Sequence, residues 1–100
     1  MTSTSSIANW PLAERPREKL LLNGAATLSD AELLAVLLQT GVRGKTALDL
    51  ARDLLVHFGG LVGIMAAERD ELIAHSGVGL AKTARFAAMK ELSQRHMLEG

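Results

Sequence analysis

Ten consecutive residues carry the chemistry that stands out most: Ser76-Gly77-Val78-Gly79-Leu80-Ala81-Lys82-Thr83-Ala84-Arg85. Two glycines around one aliphatic residue permit a tight reversal, because each takes φ > 0 at no steric cost. A helix that starts directly after such a turn points its first N–H groups outward, unpaired, at the positive end of its dipole. Phosphate oxygens are natural acceptors for that arrangement. Lys82 would add a point charge, Arg85 a second cation, and Gly79 room for a strand to approach the backbone. Gly77, Gly79, Ala81, Lys82, Thr83 and Arg85 are therefore the candidate DNA-phosphate-binding residues of a helix-hairpin-helix clamp. Such contacts position a protein on nucleic acid but read no sequence. An ordinary helix–helix turn also favours glycine. What lifts this stretch above one is the Lys-Thr-Ala that follows and the Glu71-Leu72-Ile73 that precedes.

A second segment echoes the first. Residues 40–51, Thr-Gly-Val-Arg-Gly-Lys-Thr-Ala-Leu-Asp-Leu-Ala, repeat the order of residues 76–87: hydroxyl, Gly-Val, spacer, Lys-Thr-Ala, helix. Two copies would make a pseudo-symmetric pair of hairpins. Gly41, Arg43, Gly44 and Lys45 then form a second, weaker candidate hairpin, although a loop with solvated cations is the preferred reading there. Gly44-Lys45-Thr46 is not a nucleoside-triphosphate loop. The first glycine of that pattern would fall at Gln39, and the context is helix–loop–helix rather than strand–loop–helix. Arg15, Arg17 and Lys19 interleave with Glu14 and Glu18, so a salt-bridged surface is expected there and not a binding stripe. His57, His75 and His96 show no metal-ligand spacing, and no nucleophile–base set is legible. Neither a catalytic nor a metal site is expected.

The elements that must position these residues are all helical. Residues 14–24 read as a short helix, with Pro16 in its first turn and Gly24 at its exit. Ser29 with Glu32 makes a capping box, with Leu28 placed to staple onto Leu33. The helix that follows, 30–39, is apolar nearly all round, and is expected to be the central buried one. Residues 45–57 follow, with Ala47, Leu50, Ala51, Leu54, Leu55 and Phe58 on one face. Short helices are expected at 61–66 and 69–75, and a long one at 80–97. On the last, Ala81, Ala84, Ala87, Ala88 and Leu92 would form a narrow packing face. No run alternates at period two. The expected fold is all-α, a compact bundle of about five helices without a sheet, over residues 13–100, preceded by a flexible arm at 1–12 into which Trp10 could tuck.

The totals agree. Of the 100 residues, 48% are apolar and only 3% aromatic, so the core must be built from Leu, Ala, Val, Ile and Met. Formal net charge is zero, which removes a bulk electrostatic case for nucleic acid. Residues 1–75 carry seven Lys/Arg against nine Asp/Glu, and residues 76–100 carry four against two, so the basic excess sits beside the glycine turn. No cysteine is present, which excludes a disulfide scaffold and a thiolate zinc site. Nothing approaches the length of a membrane span or a signal peptide, and a cytoplasmic protein is the expectation.

Several blocks resemble the N-terminal half of the RadC family (UPF0758-type). They are Arg15-Pro16-Arg17-Glu18-Lys19-Leu20-Leu21, the run 28–41 from Leu-Ser-Asp-Ala-Glu-Leu-Leu-Ala, Leu54-Leu55-Val56-His57-Phe58-Gly59-Gly60-Leu61, residues 77–84 and Glu91-Leu92-Ser93-Gln94-Arg95. The resemblance covers nearly all of the chain after its arm. It implies a bacterial protein associated with DNA repair, whose helical domain precedes a zinc-dependent JAB/MPN (JAMM-type) domain using His-x-His, a distant Asp and a Glu. None of that motif stands here, so the resemblance implies a truncated chain, non-catalytic and without a cofactor of its own. Any zinc, and any hydrolase or metallopeptidase activity, would belong to the missing domain. The expected partner is DNA, bound weakly and non-specifically. The alternative is a docking domain for the metallo domain, with no DNA binding. A basic notch at residues 77–82 would favour the first, and an apolar patch near Trp10, Leu12 or Met97 the second.

Overall fold

A computed structural model describes residues 15–99; the arm 1–12 and Trp10 lie outside them. Six α-helices and one short 3₁₀ turn are present among the described residues, with no strand. Pro16 opens α1 (Pro16–Asn23), and the 3₁₀ turn Ala25–Thr27 leads to α2 (Asp30–Leu38). The Ser29–Glu32 capping box is formed: Glu32 N–H donates to Ser29 Oγ at 3.2 Å and Ser29 N–H donates to Glu32 Oε1 at 2.8 Å. Next come α3 (Ala47–Phe58), α4 (Leu61–Ala66), α5 (Arg69–Ala74) and α6 (Gly79–Glu99).

The middle of the fold is α3 rather than α2. It buries Ala47, Leu48, Leu50, Ala51 and Leu54, while α2 buries Leu34, Ala35 and Leu38 and leaves Leu33 partly in water. An all-apolar helix can bury only the side that finds partners, and here a clean amphipathic stripe outranks raw hydrophobicity. Ile64, Ala67, Leu72, Val78 and Phe86 complete the core.

Two further expectations are corrected. The helix after the Gly41 loop starts at Ala47, because Thr46 is its N-cap: Asp49 N–H donates to Thr46 Oγ1 at 3.0 Å and Thr46 N–H donates to Asp49 Oδ2 at 3.1 Å. The second correction is to α6. Ala81, Ala84, Ala87, Ala88 and Leu92 are all exposed, and the buried side is Val78, Thr83 and Phe86, flanked by Met89. One phenylalanine buries far more apolar area than several alanines, so it fixes the helix rotation. Beyond Lys90 every described residue of α6 is exposed.

Candidate nucleic-acid interface at the glycine hairpin

The reversal between α5 and α6 is built from four residues, 75–78. His75 N–H donates to Leu72 O, and Val78 N–H donates to His75 O. Gly77 (φ 91°) and Gly79 (φ 67°) both occupy backbone space that L side chains rarely adopt. Gly77 is needed twice over. A Cβ there would stand 3.1 Å from Leu50 Cδ1 and 3.4 Å from Val42 Cγ1. Val42 belongs to the Gly41 loop, so the two glycine loops lie side by side. A Cβ at Gly79 would meet nothing within 4 Å.

Two helices meet a first-turn N–H group with a capping side chain, and a third has a side-chain bond to the N–H of its N-cap residue. Ser29 serves α2, Thr46 serves α3, and ahead of α5 the Glu68 N–H donates to Glu71 Oε1. At the start of α6 Val78 has no acceptor to offer. Among the described residues no side chain accepts from the N–H of Gly79, Leu80 or Ala81. Leu80 is 74% exposed, and Gly79 and Ala81 are exposed as well.

The candidate cations are more engaged than their positions in the sequence suggested. Lys82 Nζ folds back to donate to Gly77 O at 3.2 Å, which keeps the ammonium beside the turn. Thr83 Oγ1 donates to Gly79 O at 2.7 Å and is buried, so it braces the first turn and presents nothing outward. Arg85 Nη1 donates to Leu38 O at 3.3 Å, where it caps the carbonyl end of α2 and ties α6 to it.

The Gly41 loop is a different object. Gly41 has no room for a Cβ, which would stand 2.0 Å from Lys45 O. Val42 and Lys45 exchange two backbone hydrogen bonds, Gly44 takes φ 87°, and Lys45 pairs with Asp53. Arg43 is exposed at the tip. The echo does not extend to structure: Thr46 caps its helix from outside, whereas Thr83 lies one turn inside α6. Just before the loop, Gln39 takes φ 70° and ψ −50°, and Thr40 N–H donates to Leu38 O at 2.8 Å. That is a γ-turn of the strained, positive-φ kind.

Sequence reasoning missed one grouping. The His57 and His75 rings lie 5.0 Å apart, with Phe58 beside both. Their separation along the chain carries no signal for this; it arises because the end of α3 packs beside the end of α5. Among the described residues no group of three or more His, Cys, Asp or Glu could hold a metal ion, and no helix is long and apolar enough to cross a membrane.

The family model described as UPF0758 N-terminal matches residues 7–84. A UPF0758 protein of Stutzerimonas stutzeri is 56% identical over 94 residues, covering 94% of this chain and 42% of that protein. One of Acidithiobacillus ferrooxidans is 51% identical over 94 residues, with the same coverage. One of Thioalkalivibrio sulfidiphilus is 55% identical over 93 residues, covering 93% and 42%. The chain thus spans about two fifths of the length of these relatives. No solved structure matches it.

Proposed function

The chain belongs to the UPF0758 family, as the N-terminal domain of a RadC-like protein, and we propose that it binds the phosphate backbone of DNA through the α5–α6 hairpin. The observation that carries this reading is the uncapped, solvent-facing start of the longest helix, with Lys82 held beside it. A phosphate oxygen would take the N–H groups of Gly79, Leu80 and Ala81, and Lys82 would exchange its bond to Gly77 O for one to the phosphate. With zero net charge and few released counterions, binding is weak and sequence-independent, on the order of 10⁻⁴ to 10⁻⁶ M at physiological salt.

Salt titration of binding to duplex, single-stranded and branched DNA tests this, with two variants alongside. Lys82→Ala should lower the salt slope by about one. Leu80→Glu places a carboxylate at the helix start, which suits the dipole and preserves the fold, but repels phosphate and should abolish binding. Wild type without salt-dependent binding, or Leu80→Glu binding as well as wild type, would end the proposal.

A second reading is favoured by the outer side of α6. Leu80, Ala81, Ala84, Ala88 and Leu92 share that side at helical spacing and are all exposed, and Met97 and Leu98 beyond them are 80% and 88% exposed. In this reading the domain docks the JAMM-type metallo domain that the family resemblance places after it, and the hairpin is only a turn.

A further inference from the structure

We propose that His57 and His75 together seat a divalent transition-metal ion of the zinc or nickel class, where the end of α3 meets the α5–α6 turn. This stands apart from the phosphate reading and needs neither DNA nor a further domain.

The geometry of the two rings comes first. An imidazole nitrogen binds such an ion at ~2.0–2.1 Å, which puts each ring centre ~3.2 Å from the metal; at a tetrahedral angle two such rings are about 5 Å apart, centre to centre. The observed separation is 5.0 Å, with the ring planes inclined at 73°. The state of one ring is also fixed. His75 Nδ1 lies 3.0 Å from Ser76 O, and a carbonyl only accepts, so Nδ1 carries the proton. In the neutral ring, Nε2 is then left with its lone pair. A backbone carbonyl holding the far nitrogen is the arrangement that orients histidine ligands in metal sites and raises their basicity.

Electrostatics favours a cation at the same place. His57 lies in the last turn of α3 and His75 caps the C-terminal end of α5, so both rings sit at carbonyl ends of helices. Phe58, 4.7 Å from the His57 ring and 6.2 Å from the His75 ring, supplies an apolar flank. His57 is exposed, so water can complete the coordination. Imidazole ligands select ions of the zinc, nickel and copper group over magnesium or calcium.

Titration of the protein with zinc chloride, followed by calorimetry, should give one ion per chain, with a rise in melting temperature that magnesium does not produce. His57→Asn and His75→Asn should each weaken binding at least tenfold and remove the thermal shift. The asparagine at 75 can still donate to Ser76 O, which keeps the turn. His96→Asn, far along α6, should change neither. On the wild-type protein, a trace of Cu²⁺ should broaden the ring NMR signals of His57 and His75 together and leave those of His96 sharp, which tests the site even if a variant fails to fold. The proposal is overturned if His57→Asn and His75→Asn bind zinc as wild type does. It is equally overturned if the trace of Cu²⁺ broadens His96 alone or all three histidines alike.

Discussion

Glu32 does two jobs at once. Its Oε1 accepts the Ser29 N–H and its Oε2 accepts from Lys19 Nζ at 2.8 Å, so one carboxylate closes the cap of α2 and ties α1 to it. The Lys19 hydrogen bond, followed by the Ser29 backbone bond, holds the Glu32 carboxyl below the usual carboxylate range. Its contribution to stability is therefore complete above the unfolded value of about 4.3 and is lost as pH falls through the lowered folded value. Glu32→Gln should cost about 1 kcal/mol at neutral pH and leave a shallower acid limb. Urea melts at pH 7 and pH 3 should show the gap between wild type and variant closing at the lower pH; a constant gap would show that the charge is not its source. Ser29–Glu32 was legible because a capping box is a local pattern. Thr46–Asp49 is the same device, but its threonine was absorbed into the Lys-Thr-Ala echo. From sequence Arg85 reads as a candidate phosphate ligand, and nothing there places the Leu38 carbonyl within its reach.

The α2–α3 and α5–α6 connections touch, and they carry backbone strain differently. At 77 the close approach of Leu50 and Val42 adds to the backbone demand. Gly77→Ala should destabilise by roughly 1–3 kcal/mol, measured by thermal or urea unfolding. At 39 the conformation is as unusual, but the residue is glutamine. Gln39→Gly should raise stability by about 1 kcal/mol, because relief of the positive-φ strain exceeds the added freedom of the unfolded chain. A loss of stability would show that the glutamine side chain compensates for the turn. Helix positions were readable in sequence to within a residue or two, since apolar spacing, caps and glycine stops all agree. The rotation of α6 was not. Alanines at 81, 84, 87 and 88 look like a close-packing stripe, and only the competition for core space shows that Phe86 and Thr83 take it.

Over the whole molecule, the core closes before the chain does. Among the described residues the buried hydrophobic core falls between Leu28 and Phe86, yet α6 continues to Glu99 with nothing of its last nine residues buried. The family model likewise stops at residue 84, while the relatives are more than twice as long as this chain. A helix end with leucine and methionine in water, beyond its last buried residue, is marginal alone. The docking reading supplies it a neighbour, and the two readings separate at Ala88 and Leu92, two turns beyond the hairpin residues that the phosphate reading uses. In a full-length relative carrying this sequence, Ala88→Glu with Leu92→Glu should leave DNA binding and the helical content of the domain unchanged. The same pair should split a single cooperative unfolding transition into two, as expected when an interdomain contact is lost. In the 100-residue chain the double variant should melt within a few degrees of wild type, because neither side chain is buried. If the full-length protein already unfolds in two independent steps, or the pair of charges leaves its single transition intact, the outer side of α6 is not where the second domain rests.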